Sequence, residues 1–262
     1  MPSSILTLTT DFGHTDHFVG TMKGVILGIQ RAARIVDLCH EVAAFDVAGA
    51  AFLISQAYPY FPPKTVHVVV VDPGVGTSRR PILVEAAGQY FIGPDNGVFA
   101  FVLSNEKHRV RHITAARYFR KAVSQTFHGR DVFAPAAAHL AKGVPAARFG
   151  KLIDDYLRPS SLKPERTARR GWTGQILRID RFGNLITNFH IDEFQLVEQG
   201  PFEMQVGLQY VRKLAQSYGE GDIGEVFAIV GSSGMIEVSA NQASAARILG
   251  CGVGAPVELR IF

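Results

Sequence analysis

Val68-Val69-Val70-Val71-Asp72-Pro73-Gly74-Val75-Gly76-Thr77-Ser78-Arg79-Arg80 decides how this chain is read. The four valines form a short, continuous β-branched run, the pattern of a strand buried on both faces. The run stops at Asp-Pro-Gly, where Pro73 fixes φ and Gly74 and Gly76 allow turns that side chains would block. A carboxylate at the C-terminal end of a strand, followed by a loop and two guanidinium groups, stands where open α/β sheets bind ligands. The plainer reading is a turn-stabilising Asp72 with Arg79 and Arg80 on a wet surface.

Outward from this stretch, the chain of 262 residues is 47% hydrophobic and 19% charged, which describes a compact globular protein of one large or two smaller domains. A net charge of +4 with scattered basic residues is no nucleic-acid footprint. Cys39 and Cys251 are the two cysteines, too few for a Cys-rich metal module, and Cys39 lies in an apolar run that suits a buried thiol. No basic leader precedes Ile5-Leu6-Thr7-Leu8, and no apolar segment is long enough to span a bilayer, so a soluble cytoplasmic protein without membrane or nucleic-acid partners is expected.

The first strand ends in Thr10-Asp11-Phe12-Gly13, a second carboxylate beyond a strand end. Asp11 suits either ligand hydroxyls or an Asx turn. A helix is expected from about Asp16, its N-cap, with Phe18, Met22, Val25, Ile26 and Ile29 as the buried stripe. Ile35 to Val42 reads as a strand and Phe45 to Ala57 as a helix, with Asp46 near its positive end. Tyr58 to Pro63 reads as a rigid aromatic loop, one of whose rings can stack on a flat heterocycle or plug the core. Pro81 to Ala86 and Tyr90 to Ile92 form a strand pair around Gly88-Gln89. Gly93 to Gly97 turns into a short apolar helix, and Val110 to Ile113 is another strand.

His128 stands at the entrance of a helix expected from about Val132 to Ala141, where the helix dipole disfavours imidazolium. A neutral His there can hydrogen-bond water or a ligand, or serve structure alone. Arg130 and Asp131 can pair with each other. The resulting expectation is a layered α/β domain over residues 1–155 and a proline- and charge-rich linker over 156–171. Residues 172–262 read as a smaller, all-β, barrel-like domain, with one short helix from Ala243 to Leu249 and a hairpin turn at Gly231-Ser232-Ser233-Gly234. No dinucleotide fingerprint, Walker loop, nucleophile elbow or His-Glu-x-x-His is present.

Several loops together are far more specific than any one. Thr10-Asp11-Phe12-Gly13, Asp72-Pro73-Gly74-Val75-Gly76, Gly93-Pro94-Asp95-Asn96-Gly97, Phe127-His128-Gly129-Arg130-Asp131, Asp180 to Asn188 and Gly231 to Glu237 occur in one order along nearly the whole chain. In these motifs the chain resembles the S-adenosyl-L-methionine (SAM) hydroxide adenosyltransferases, the adenosine-forming SAM hydrolases related to fluorinase and chlorinase.

The resemblance implies attack of water or hydroxide on ribose C5′ of SAM, giving adenosine and L-methionine. It implies Asp72, Arg79 and His128 as the water-activating set, with Arg79 rather than Arg80 assigned by its spacing from Asp72. It further implies Asp11 on the ribose hydroxyls, Phe61 or Tyr60 beside adenosine, and Asp180 on the methionine ammonium. Phe182 and Asn184 are implied as nucleoside contacts and Ser233 as a contact to the methionine end. From the residues alone, Phe182 suits the core, Asn184 a turn cap and Ser233 the hairpin. The resemblance also implies no metal, no cofactor other than SAM as substrate, and a homotrimer with sites between subunits. Two competing readings are an adenosyltransferase using halide or another anion, and a SAM- or adenosine-binding sensor without chemistry.

Overall fold

The structure is a computed structural model that describes residues 5–158 and 163–262. It divides into two compact units, Met1–Pro159 and Ser160–Phe262. The first unit contains β1 (Ile5–Thr10), α1 (Phe18–Ile29), β2 (Arg34–Cys39), α2 (Val47–Ala57), β3 (Val66–Val70), β4 (Pro81–Ala86) and β5 (Gln89–Pro94). It continues with α3 (Ala100–Asn105), β6 (His108–His112), α4 (Ala134–Ala141) and β7 (Leu152–Ile153).

Among the described residues these strands form a seven-stranded sheet in the order β2-β1-β3-β5-β4-β6-β7. β1 runs parallel to β2 and β3, and β3 parallel to β5, while β4 and β6 turn antiparallel. The valine run is thus a central parallel strand, all five residues of β3 buried. Val66, Val68 and Val70 pack with Met22 and Ile26 of α1 and the alanines of α4. Val69 and Val71 face the other way, with Ala50 and Ile54 of α2 and with Phe91 and Phe99. Helices therefore cover both faces, and each fully buried valine contributes about 1.5 to 3 kcal/mol of hydrophobic stabilisation.

Because β2 and β3 flank β1 on opposite sides, the chain reverses direction across the sheet between β1 and β3. That switch point opens a crevice at the strands' C-terminal ends. Asp11 follows β1 there and Asp72 follows β3.

Several local expectations are corrected. α1 starts at Phe18 with His17 at its N-cap position and no side-chain cap, so Asp16 does not cap it. Asp46 does cap α2, accepting from the Gly49 backbone N–H at 2.8 Å. Before α4, residues Gly129–Phe133 form a π-helical turn rather than waiting for a helix at Val132. Single π turns inside helices mark places where the hydrogen-bond register has been shifted, often for function.

The second unit holds β8 (Glu165–Ala168), β9 (Gly171–Ile179), β10 (Leu185–His190), α5 (Leu196–Gln199), β11 (Phe202–Val206), β12 (Gln209–Val211) and β13 (Leu214–Ala215). β14 (Val226–Val230), β15 (Met235–Ala240), α6 (Ala245–Leu249) and β16 (Pro256–Ile261) complete it. Among the described residues the nine strands form one sheet, β12-β11-β16-β9-β10-β15-β14-β13, with β8 added on β9, curled as a half-barrel.

Alternation explains the curl's contents: Phe202, Met204 and Val206 of β11 and Val257, Leu259 and Ile261 of β16 enter the core. The expected linker is corrected in part, since Glu165–Ala168 are strand β8, fully exposed but paired with β9. Residues 159–162 of that linker lie outside the described residues. The short helix over Ala243–Leu249 starts at Ala245, and the one-turn α5 is a second helix that alternation concealed.

Candidate active site

In the first unit the crevice at the switch point is a cavity of about 310 Å³. Asp11, Phe45, Asp72, Phe127 and His128 line it, so residues from four separate loops meet there. The Phe12, Phe18 and Phe127 rings form an edge-to-face cluster on its wall, with centroids 5.2 to 5.9 Å apart. The cavity is thus mostly apolar with a few aimed polar groups.

The Asp72-to-Arg80 loop folds back on itself. Thr77 donates to the Gly74 carbonyl at 2.7 Å, and the Gly76 backbone lies at φ +78° against the Gln125 carbonyl, where a Cβ has no room. This return brings Arg79 onto Asp72. Arg79 Nε donates to Asp72 Oδ1 at 3.0 Å, Nη2 donates to Asp72 Oδ2, and Nη2 lies 3.1 Å from His128 Nδ1. The two charged side chains are only 7% and 5% exposed. Arg80 turns elsewhere, to Asp95 and Asp155, which resolves the choice between adjacent arginines in favour of Arg79 as the partner of Asp72.

The electrostatics follow from chemistry. Burial pushes the Asp72 carboxyl up, and the Arg79 guanidinium pulls it back without cancelling the effect. Burial and then the Arg79 charge hold His128 below the ordinary imidazole value, against the pull of Asp72 and Asp131. Arg79 has donors only, so its contact with His128 Nδ1 requires Nδ1 to be the acceptor. His128 is therefore neutral in this arrangement, with its proton on Nε2. Arg79 Nη1 is buried with no hydrogen-bond partner.

The loop carrying His128 is fixed from behind. Asp131, fully buried, accepts from Arg130 Nε at 2.7 Å and from the Ser124 backbone N–H at 2.8 Å. The expected Arg130–Asp131 pair is thus present and holds the π turn. Asp11 accepts from the Phe45 backbone N–H at 3.0 Å. Phe45 is 70% exposed and sits at φ +68°, a strained position for a non-glycine residue. Sequence reading missed Phe45, because an aromatic beside a helix start looks like a staple and nothing local announces a positive φ.

Tyr60 and Phe61 are not brought to this cavity. They precede β3 at its N-terminal end, whereas Asp72 follows its C-terminal end, roughly 20 Å away at 3.3 Å per residue. Gln89 holds their loop through the Tyr58 and Phe61 carbonyls, and Phe61 packs edge-on to His67. Tyr60 is 85% exposed, and neither residue lines this cavity.

In the second unit a cavity of about 580 Å³ is lined by Asp180, Phe182, Asn184, Tyr218, Ala243 and Ser244. Asp180 closes its own turn, accepting from the Phe182 and Asn184 backbone N–H groups at 2.8 and 2.9 Å and from Asn184 Nδ2 at 2.9 Å. Phe182 is 77% exposed, so it is not a core residue; Asn184 is buried beneath the turn. Tyr218, not anticipated from sequence, donates to Glu237 at 3.3 Å, and burial with that carboxylate pushes its hydroxyl up to about 12. Ser233 accepts from the Met235 N–H at 3.3 Å within the hairpin turn and is not among the residues lining this cavity. Among the described residues no group of three His, Cys, Asp or Glu side chains is placed to hold a metal ion.

An α/β unit with a buried carboxylate–guanidinium–imidazole cluster at its switch point, joined to a β unit with an aromatic-rimmed cavity, defines a two-unit α/β protein built for a small ligand. Residues 6–150 match the SAM hydroxide adenosyltransferase N-terminal domain and residues 174–258 match its C-terminal domain, and the chain belongs to that family. The (R)-S-adenosyl-L-methionine hydrolase of Methanocaldococcus jannaschii is 35% identical over 94% of this chain and 91% of its own. The protein of the same name from Thermus thermophilus is 37% identical over 95% and 97%. A fluorinase from Nocardia brasiliensis is more distant, 26% identical over 98% and 97%. A solved structure of an uncharacterized conserved protein from Thermotoga maritima superposes with a TM-score of 0.90 at 36% identity, covering 98% of this chain and 99% of that one.

Proposed function

We infer that this protein hydrolyses SAM to adenosine and L-methionine, and that it takes the (R)-sulfonium epimer named for its relatives. The observation that carries the mechanism is the buried Asp72–Arg79–His128 cluster with one unused Arg79 donor. Water attacks C5′, the new C–O bond forms as the C5′–S bond breaks, and the bonding pair stays on sulfur. The sulfonium becomes the neutral thioether of methionine, so the leaving group needs no acid. One proton must leave the attacking water.

The three side chains divide that work. Arg79 cannot accept a proton, and its guanidinium charge, held between Asp72 and His128, stabilises hydroxide-like charge on the attacking oxygen. His128, with Nδ1 occupied, presents Nε2–H as a donor that orients the same oxygen. Asp72 remains as the acceptor, and its raised pKa makes it a better base than an ordinary carboxylate. The Asp72 charge also offsets Arg79, which would otherwise repel the cationic substrate. The same charge disfavours a halide in this place, which weighs against the anion-dependent adenosyltransferase.

Asp11 keeps one carboxylate oxygen beyond its bond to Phe45 and is assigned the ribose hydroxyls. In the second unit Phe182 and Asn184 are assigned to the nucleoside. Asp180, which retains lone-pair capacity, is assigned to the methionine ammonium, and Ser233, outside that unit's cavity, to the methionine end. The reading needs neither a metal nor a cofactor besides SAM. The assembly proposed is a homotrimer in the cytoplasm, in which a neighbour's β unit completes each α/β site. No described helix is long and apolar enough to cross a membrane.

Product analysis tests the reading. Purified protein incubated with each SAM epimer, with and without excess chloride, is expected to release adenosine and methionine from the (R) epimer regardless of chloride. A 5′-chloro nucleoside would replace hydrolysis with halide transfer, and adenosine binding without turnover of either epimer would leave a sensor.

A further inference from the structure

The loop that carries Asp11 is clamped by a buried histidine on the neighbouring strand. His40 directly follows β2 and is 1% exposed. Its Nδ1 lies 2.9 Å from Thr10 Oγ1, and its Nε2 lies 3.0 Å from Asp37 Oδ1. Asp37 is fixed in turn by Lys23 of α1, Nζ to Oδ2 at 2.6 Å. On the other side, Thr10 Oγ1 accepts from the Phe12 backbone N–H at 3.3 Å, and the Gly13 N–H donates to the His40 carbonyl at 2.8 Å.

Nε2 faces Asp37 Oδ1 at ion-pair distance but lacks the alignment of a hydrogen bond, so the hold on the Asp11 loop is the His40 Nδ1–Thr10 Oγ1 bond. Thr10 Oγ1 also accepts from the backbone amide immediately after Asp11, and the His40 carbonyl holds the next residue but one. Thr10 is fully buried and cannot reach a ligand. His40 is not among the residues lining the 310 Å³ cavity, yet both sides of Asp11 are tied to it.

We propose that His40, acting through Thr10, is a positioning residue that holds the Asp11 carboxylate in place for ribose hydroxyls. This rests on the assignment of Asp11 to the ribose given above. A carboxylate on an unsupported seven-residue loop would sample many orientations, and freezing it at binding would consume affinity. The clamp makes that ordering before the ligand arrives, so its value is felt only by ligands that carry the hydroxyls.

The test compares calorimetric Kd values for adenosine and 2′,3′-dideoxyadenosine on the full chain. The variants are Asp11→Ala, His40→Leu, His40→Asn and Thr10→Val. In the wild type adenosine binds more tightly than the dideoxy compound. His40→Leu and Thr10→Val are expected to reduce that preference about tenfold, the worth of one well-made hydrogen bond, while dideoxyadenosine affinity stays within about twofold. His40→Asn, which keeps an acceptor near the Nδ1 position, is expected to recover part of the preference.

An unchanged adenosine preference in Thr10→Val overturns the inference, as does an equal loss for both ligands. Thr10→Val is nearly isosteric in a fully buried position and decides the matter even if His40→Leu fails to fold. A preference that survives in Asp11→Ala overturns the ribose assignment itself. A preference lost in Asp11→Ala and kept in Thr10→Val overturns only the clamp.

Discussion

The two cavities hold their carboxylates by opposite means. Asp72 is held by other side chains, Arg79 and through it His128, and the cluster keeps a buried guanidinium donor unpaired. Asp180 is held by its own turn, three donors from Phe182 and Asn184 converging on it. The first arrangement leaves a buried polar donor unsatisfied, at the place where the proposed reaction moves charge. The second is a preformed cradle whose shape is fixed before a ligand arrives. Preorganised but unsatisfied groups are what transition-state stabilisation needs, whereas satisfied ones suit recognition.

The contrast breaks most visibly at Asp72. Asp72→Asn keeps the shape and removes the proton acceptor, so kcat is expected to fall about 10³-fold while the adenosine Kd changes little. Steady-state kinetics beside calorimetry reads both, and a retained kcat would move the chemistry away from this cluster. An equally conservative change at Asp180 should do the reverse, raising Kd and KM before kcat.

His128→Ala is expected to cost about 10²-fold in kcat. Its pH dependence carries more information. Asp72 must be ionised and His128 neutral, so activity is present at neutral pH and lost as the pH falls. Asp72 is raised above the usual carboxylate value and His128 lowered below the usual imidazole value, so the Asp72 loss comes at a higher pH than for an ordinary carboxylate and the His128 loss at a lower pH than for an ordinary imidazole. The acid limb of kcat/KM should be steeper than one proton in the wild type and single in His128→Ala. A limb centred above the ordinary imidazole value would contradict the assignment.

Each turn depends on one left-handed glycine in a close approach. A Cβ on Gly76 would strike the Gln125 backbone carbonyl, and one on Gly183 would strike Ser244. Gly76→Ala should unseat Arg79 and lower kcat, and Gly183→Ala should weaken nucleoside binding. Each is expected to destabilise its own unit by about 1 to 3 kcal/mol, read by urea unfolding. Loss of kcat in both variants alike would erase the division of labour.

Phe182→Ala gives the smallest effect. At 77% exposure the ring stabilises little, so the melting temperature should not move. Adenosine binding should weaken by about fivefold, within the range of one aromatic stacking contact. An unchanged Kd would remove Phe182 from the site.

How much of this was legible beforehand depends on the range of the forces involved. The β3 run and its Asp-Pro-Gly stop are local signals, and the strand lies where the valines put it. Phe202–Val206 and Pro256–Ile261 also follow directly from alternation and turn residues. The pairing of Asp72 with Arg79 was suggested by spacing, but the orphaned Nη1 and the donor-only contact to His128 exist only once two loops meet. Tyr60 and Phe61 show the opposite case, lying outside the 310 Å³ cavity. They lie close to Asp72 in sequence, yet β3 carries the chain across the whole sheet between them. Phe45 and Tyr218 were invisible because their places depend on a positive φ and on a buried carboxylate from another strand. The strand at Glu165–Ala168 carries no apolar alternation and forms only because β9 offers it an edge.

The central claim is that water, activated by Asp72, Arg79 and His128, attacks ribose C5′. Turnover of SAM in ¹⁸O-water, followed by mass analysis of both products, tests it most directly. The account predicts one ¹⁸O at adenosine O5′ and none incorporated into methionine. Unlabelled adenosine, or label confined to methionine, would contradict it.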